Sequence, residues 1–195
     1  MRLILASKNR HKAEEIAAIL GGGFSVVTQV EAGIDVDVVE DEVTFEANAV
    51  KKAAEVMALT GLPTIADDSG LVVEALGGMP GVRTARYAGE NATDDENIDK
   101  LLHEMRGVPD SERGARFVCV VAFAGVDGEV KTFYGECLGS ILRERVGAGG
   151  FGYDPVFMSR EYGLSMAELE SSVKNEISHR GKAVRGFAEW IRDRG

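Results

Sequence analysis

The sequence predicts an α/β fold, read from the residues as a single unit in which strands and helices intermix. Short apolar runs stop at glycine or polar clusters, as buried strands do, and between them apolar residues recur at helical spacing. No Pro/Ser-rich linker and no internal repeat interrupts the 195 residues, a length that allows one sizeable core or two lobes sharing one.

Each element has a local reason. Leu3-Ile4-Leu5-Ala6 reads as a short buried strand ending at Ser7-Lys8-Asn9. A helix over 10–20 follows, with Ile16, Ile19 and Leu20 on one face, and Gly21-Gly22-Gly23 stops it. Residues 24–30 read as a second strand and 44–60 as a long helix closed by Gly61. Thr64-Ile65-Ala66 and the run 71–75 read as two strands flanking an Asp67-Asp68-Ser69-Gly70 turn. Thr93 with Glu96 has capping-box spacing and opens a helix to about Met105. Residues 116–124 and 129–138 form a strand pair joined across Val126-Asp127-Gly128. Ser165 with Glu168 reads as a further capping box. The last helix, over about 179–192, buries Ala183, Phe187, Trp190 and Ile191.

Composition narrows the function classes. A formal net charge of −10 repels phosphate backbones at long range, so a nucleic acid polymer is not an expected partner. A small phosphorylated ligand stays open if a divalent metal and local lysines reverse the field. With 2 cysteines and 3 histidines there is neither a CxxC nor a zinc cluster, and Cys119 reads as a buried thiol. The first residues hold too short an apolar run for a signal peptide, and no stretch approaches a membrane span, so a cytoplasmic protein is expected. The 24 glycines point to tight turns and ligand loops.

Four groups of residues carry chemistry. Ser7-Lys8-Asn9-Arg10-His11-Lys12, at a strand-to-helix junction, suits either an anion site or a plainly capped helix. It is no P-loop, since GxxxxGK[ST] is absent. Asp67-Asp68-Ser69-Gly70 sets two carboxylates side by side, which is costly unless a turn exposes them or a metal uses one. Glu40, Asp41 and Glu42 are further carboxylates in an acidic region. Phe151-Gly152-Tyr153-Asp154, after Gly147-Ala148-Gly149-Gly150, suits a loop that sandwiches a flat ring, or a pair of core aromatics. Ser178-His179-Arg180 puts cationic donors at a helix start, against the helix dipole, with Lys174 shortly before. Together these groups suit a metal-bound phosphate ester carrying a ring.

Read in order, Ser7-x-Asn9-x-x-Lys12, Phe45-x-x-Asn48-Ala49-x-x-Lys52-Ala53, Ala66 to Leu71, Ala85-Arg86-Tyr87-Ala88-Gly89, Gly150 to Phe157 and Ser178 to Gly181 closely resemble the inosine triphosphate pyrophosphatase family. The six blocks cover essentially the whole chain. The resemblance implies one nucleoside triphosphate pyrophosphatase domain over 1–195, two-lobed around a long twisted mixed sheet with flanking helices and a central cleft. It also implies a homodimer that hydrolyses ITP, dITP and XTP to the monophosphate and pyrophosphate with Mg²⁺, cleansing the nucleotide pool. Carried onto this chain, Ser7, Asn9, Lys12 and Lys52 match triphosphate contacts, and Glu40 and Asp68 match the metal ligands, Asp68 also being the catalytic carboxylate. Ser69, Phe151, Gly152, Tyr153, Asp154, Lys174, His179 and Arg180 match substrate contacts. Tyr153 stands where some relatives carry tryptophan.

The runner-up is a Maf-like nucleotide pyrophosphatase acting on pyrimidine or other modified nucleotides. The Phe-Gly-Tyr-Asp-Pro and Ser-His-Arg-Gly blocks speak against it. A non-catalytic nucleotide binder is the alternative from another class, and turnover separates it from an enzyme.

Overall fold

The computed structural model describes residues 1–194, which hold six strands and five α-helices. The strands are β1 (Arg2–Leu5), β2 (Ser25–Thr28), β3 (Thr64–Val73), β4 (Gly114–Ala124), β5 (Val130–Ile141) and β6 (Phe157–Ser159). The helices are α1 (Arg10–Leu20), α2 (Phe45–Thr60), α3 (Asp94–Glu104), α4 (Ser171–Ile177) and α5 (His179–Arg192). All strands join one sheet in the order β2-β1-β3-β4-β5-β6. β1 runs parallel to both β2 and β3, whereas β5 and β6 are antiparallel, so the sheet is mixed and the expected α/β class holds.

Two compact units divide the chain. The first holds Met1–Asp68, Cys119–Gly135 and the chain from His179 onward, and the second holds Ser69–Val118 and Glu136–Ser178. In the first unit the sheet is covered on two faces. Leu3, Leu5, Ile65, Cys119, Val121 and Phe123 pack with Ile16 and Leu20 of α1 and Ala183, Val184 and Phe187 of α5. Ile4, Ala66, Val120 and Ala122 pack on the other side with Ala49, Ala53 and Val56 of α2. Strands buried on both faces read as continuous apolar runs, and β1 and β4 do. In the second unit Leu71, Val73, Ile98, Leu101, Phe117, Phe157 and Ile177 form a separate core.

Helix boundaries follow their caps. Asn9 accepts from the Lys12 N–H and Thr44 from the Ala47 N–H, and Gly61 ends α2 in the left-handed region at φ 64°. Thr93 and Glu96 form both halves of the expected capping box. The Ser165–Glu168 box forms only in part. The Ser165 N–H donates to Glu168, but the Ser165 hydroxyl donates to the Val146 carbonyl, and the segment makes turns, not a helix.

The larger correction concerns Asp67-Asp68-Ser69-Gly70. It is no turn: β3 runs unbroken through all four residues. Alternation along the strand sends the two carboxylates to opposite faces, where cations meet each of them. The desolvation cost that argued for an exposed turn is thereby offset inside the strand.

Candidate active site

The phosphate-type chemistry gathers in the first unit. Ser7 follows β1 directly, and its Oγ accepts from the Asn9 N–H at 3.1 Å. Asn9 in turn caps α1 through the Lys12 N–H at 3.1 Å. This tight exit places Lys12 in the first turn of α1, with its Nζ 3.1 Å from Asp67 Oδ2. Arg180, in the first turn of α5, donates to the same Oδ2 from Nε at 3.3 Å and Nη2 at 3.2 Å, while Nη1 donates to Glu15. Burial opposes the guanidinium charge, but Asp67 and Glu15 outweigh it and hold the pKa above its ordinary value. Gly135 of β5 admits this arrangement, because a Cβ there would stand 2.2 Å from the His179 carbonyl oxygen. His179 itself is buried.

On the other face of β3, Asp68 meets α2. Lys52 Nζ donates to Asp68 Oδ1 at 3.1 Å, to the Asp67 carbonyl at 2.8 Å and to Glu40 Oε1 at 2.7 Å. Asn48, one helical turn earlier, donates to Asp68 Oδ2 at 3.3 Å and accepts from the Glu42 N–H at 3.1 Å. The acidic segment 35–42 is thus stitched to the unit by lysines, with Asp35 and Asp37 on Lys8 and Asp41 on Lys51. Burial raises the Asp68 pKa above the ordinary carboxylate value. Lys52 pulls it down and Glu40 pushes it up.

Glu40 and Asp68 fit a divalent cation of the magnesium type. Their oxygens converge on one positive centre, the Lys52 ammonium, where a cation is already favoured. Mg²⁺ typically takes one or two carboxylates and substrate phosphates in place of a dedicated cage. Among the described residues no group of three or more His, Cys, Asp or Glu side chains gathers.

The ring-type chemistry gathers in the second unit. Asp154 is buried, accepts from the Phe151 N–H at 2.9 Å and is paired with Lys174 at 2.6 Å. Lys174 Nζ also lies 4.8 Å from the centre of the Phe151 ring. Tyr153 donates its hydroxyl to the Thr84 carbonyl at 2.9 Å, and burial raises its pKa. Gly150 sits at φ 74°, and a Cβ there would stand 2.1 Å from Asp154 Oδ2, so only glycine lets the loop close on this carboxylate. Ser69 is half-buried in β3.

Ser7, Asn9, Lys12, Glu40, Lys52, Asp68, His179 and Arg180 therefore belong to the first unit, and Ser69, Phe151, Gly152, Tyr153, Asp154 and Lys174 to the second. The sequence reading of the site left out two partners, Asn48 and Glu15. Asn48 lies four residues before Lys52 and Glu15 three after Lys12, both same-face spacings that point to them. Asp67 is a neighbour of Asp68 whose separate task only the strand geometry shows.

The sequence profile of the Ham1 family matches residues 3–190. A dITP/XTP pyrophosphatase of Geobacter sulfurreducens is 50% identical over 184 residues, covering 94% of this chain and 92% of that protein. One from Desulforamulus reducens is 49% identical over 192 residues, covering 98% and 96%. The structure of the Staphylococcus aureus Ham1 protein superposes with a TM-score of 0.90 at 37% identity, covering 100% of both chains. This chain belongs to the Ham1 family. The family resemblance read from the six motif blocks is borne out.

Proposed function

We propose that this protein hydrolyses noncanonical purine nucleoside triphosphates, namely ITP, dITP and XTP, to the nucleoside monophosphate and pyrophosphate. The observation that carries the reading is the convergence of Glu40 and Asp68 on Lys52, with Lys12 seated on Asp67 across the same strand. Buried Asp67 and Asp68 and half-buried Glu40, beside two lysines, suit a triphosphate that arrives with a metal. Relatives of matching length named dITP/XTP pyrophosphatase support the substrate class.

In this reading Lys12 and Lys52, with Ser7 and Asn9, hold the phosphates. Their positive charges face charge that grows on the leaving group, which is where fixed cations accelerate a reaction most. Glu40 and Asp68 hold Mg²⁺, which when bound supplies further positive charge against the leaving pyrophosphate. Asp68 also accepts the proton of the attacking water. Phe151 and Tyr153 hold the ring, Lys174 and Asp154 fix their loop, and Ser69, Gly152, His179 and Arg180 complete the substrate contacts. We further propose a cytoplasmic homodimer with a small-molecule substrate, acting on neither a nucleic acid polymer nor a membrane. Among the described residues no helix is long and apolar enough to cross one.

A panel of nucleoside triphosphates with Mg²⁺, assayed separately for pyrophosphate and phosphate, tests the proposal. Pyrophosphate released from ITP and XTP well above the ATP rate is the expected result. Tight ITP binding without turnover would instead make the protein a nucleotide-binding module. Membership of the Ham1 family sets the Maf-like alternative aside.

A further inference from the structure

The loop proposed to hold the purine ring is rich in glycine, and its conformation is fixed from outside. Arg145, at its start, donates to the Asp95 carbonyl at 3.1 Å and pairs with Asp99 at 2.8 Å, both on α3. Between Arg145 and the aromatic pair, Gly147 and Gly150 both adopt positive φ, so the segment has little stiffness of its own. At its far end the Gly152 N–H donates to Asp94 Oδ2 at 2.8 Å. Gly152 lies between Phe151 and Tyr153 and is itself left-handed at φ 59°.

Asp94 is the first residue of α3, directly after the Thr93 cap. A carboxylate there is favoured by the helix dipole, so it is a rigid, charged acceptor on a regular element. The other anchors of the aromatic loop fix neighbouring groups: Asp154 takes the Phe151 N–H, and the Thr84 carbonyl takes the Tyr153 hydroxyl. Gly152, the hinge between the two rings, is the point at which a side chain of α3 holds the peptide between them. Loss of that bond frees the peptide between the rings and lets their separation vary.

We infer that Asp94 is a positioning residue that sets the Phe151-Gly152-Tyr153 loop for the purine ring. The inference rests on the functional reading above. Asp94 touches neither the phosphates nor the reacting atoms in that reading, so its loss weakens ring binding and leaves the chemical step in place.

The test is isothermal titration with IMP, which needs no cleavage, alongside steady-state ITP hydrolysis. Asp94→Ala is expected to raise the Kd for IMP and the KM for ITP about five- to tenfold, the range of one intramolecular hydrogen bond at an exposed site, with kcat within about twofold. Asp94→Asn keeps an acceptor oxygen and is expected to stay within about twofold of wild type. Thr93→Ala uncaps α3 without removing the carboxylate and is expected to lower Tm while leaving the Kd unchanged. Wild-type Kd and KM in Asp94→Ala overturn the inference, as does a Thr93→Ala variant that weakens IMP binding equally. A wild-type protein that neither binds IMP nor hydrolyses ITP would instead bring down the functional reading itself.

Discussion

Asp67 and Asp68 are neighbours in β3 whose carboxylates serve opposite faces of the sheet. Asp67 is gripped by Lys12 and Arg180, and Asp68 by Lys52 and Asn48. The first sits among cations that tie α1 and α5 to the strand, and the second shares Lys52 with Glu40. Their substitutions should therefore separate. Truncating Asp67 to Ala strands a buried guanidinium and is expected to destabilise the fold by about 3 kcal/mol or more. Asp68→Asn keeps shape and one acceptor oxygen while removing the charge, so folding and nucleotide binding should survive while turnover falls by about 10²-fold or more. Melting curves and a pyrophosphate assay on the two variants check this. Near wild-type turnover in Asp68→Asn would remove Asp68 from the reaction.

The carboxylate pair at Lys52 predicts a metal effect on stability as well as on rate. A divalent cation that binds the folded protein alone raises Tm by mass action. Millimolar Mg²⁺ should raise the Tm of the wild-type protein, and Glu40→Gln with Asp68→Asn should abolish most of that rise. Equal shifts in wild type and double variant would place the metal elsewhere.

The cleavage point follows from which phosphates the lysines hold. If Lys12 and Lys52 grip the distal phosphates as one leaving group, water attacks the α-phosphorus. Hydrolysis in ¹⁸O-water should then put the label in the monophosphate. Mass spectrometry finding label in pyrophosphate, or free phosphate as the first product, rejects that assignment.

The capping box of α3 gives a pH-dependent prediction. Hydrogen bonds from the Thr93 backbone and hydroxyl hold the Glu96 carboxyl below its ordinary value of 4.5. An acid with a lowered folded pKa stabilises the fold fully above its unfolded value, and that contribution fades as pH falls through the lower folded value. Protonated glutamic acid and glutamine are near equivalents at this site. The Tm difference between wild type and Glu96→Gln should therefore be present at pH 7 and close as pH falls below the ordinary glutamate range. A constant difference across that span would show that the charge of Glu96 contributes nothing.

Much of this architecture was legible in the sequence because its signals are local. The apolar runs of β1 and β4, the helical spacing in α1 and α5 and the Thr93–Glu96 cap each lie within a few residues. β3 was misread because Asp-Asp-Ser-Gly carries turn chemistry, and the cations that make it a strand come from far away. Arg180 reaches Asp67 across 113 positions. α4, with seven residues and no side-chain cap, and β6, with three, are too short to leave a period. The motif blocks named the candidate site residues, while the separate partners of Asp67 and Asp68 needed the alternation of one strand.

Base choice is the most exposed part of the functional reading. ITP and XTP carry a keto oxygen at purine position 6, where ATP carries an amino group. Arginine donates and never accepts, so a site that donates to that oxygen accepts hypoxanthine and sets donor against donor with adenine. Such sites reject a mismatched analogue by factors up to about 10⁴. Yet three N–H groups of Arg180 already point at Asp67 and Glu15, so its loss has a structural consequence too. Arg180→Ala leaves Asp67 without its guanidinium and is expected to be less stable by about 3 kcal/mol. Kinetics must therefore be run well below the lowered Tm. Under those conditions kcat/KM for ITP should fall far more than the poor ATP value, narrowing the ratio between them. A variant that is less stable but keeps the full ITP-over-ATP ratio would show that Arg180 serves Asp67 alone, and that the purine oxygen is read by another group.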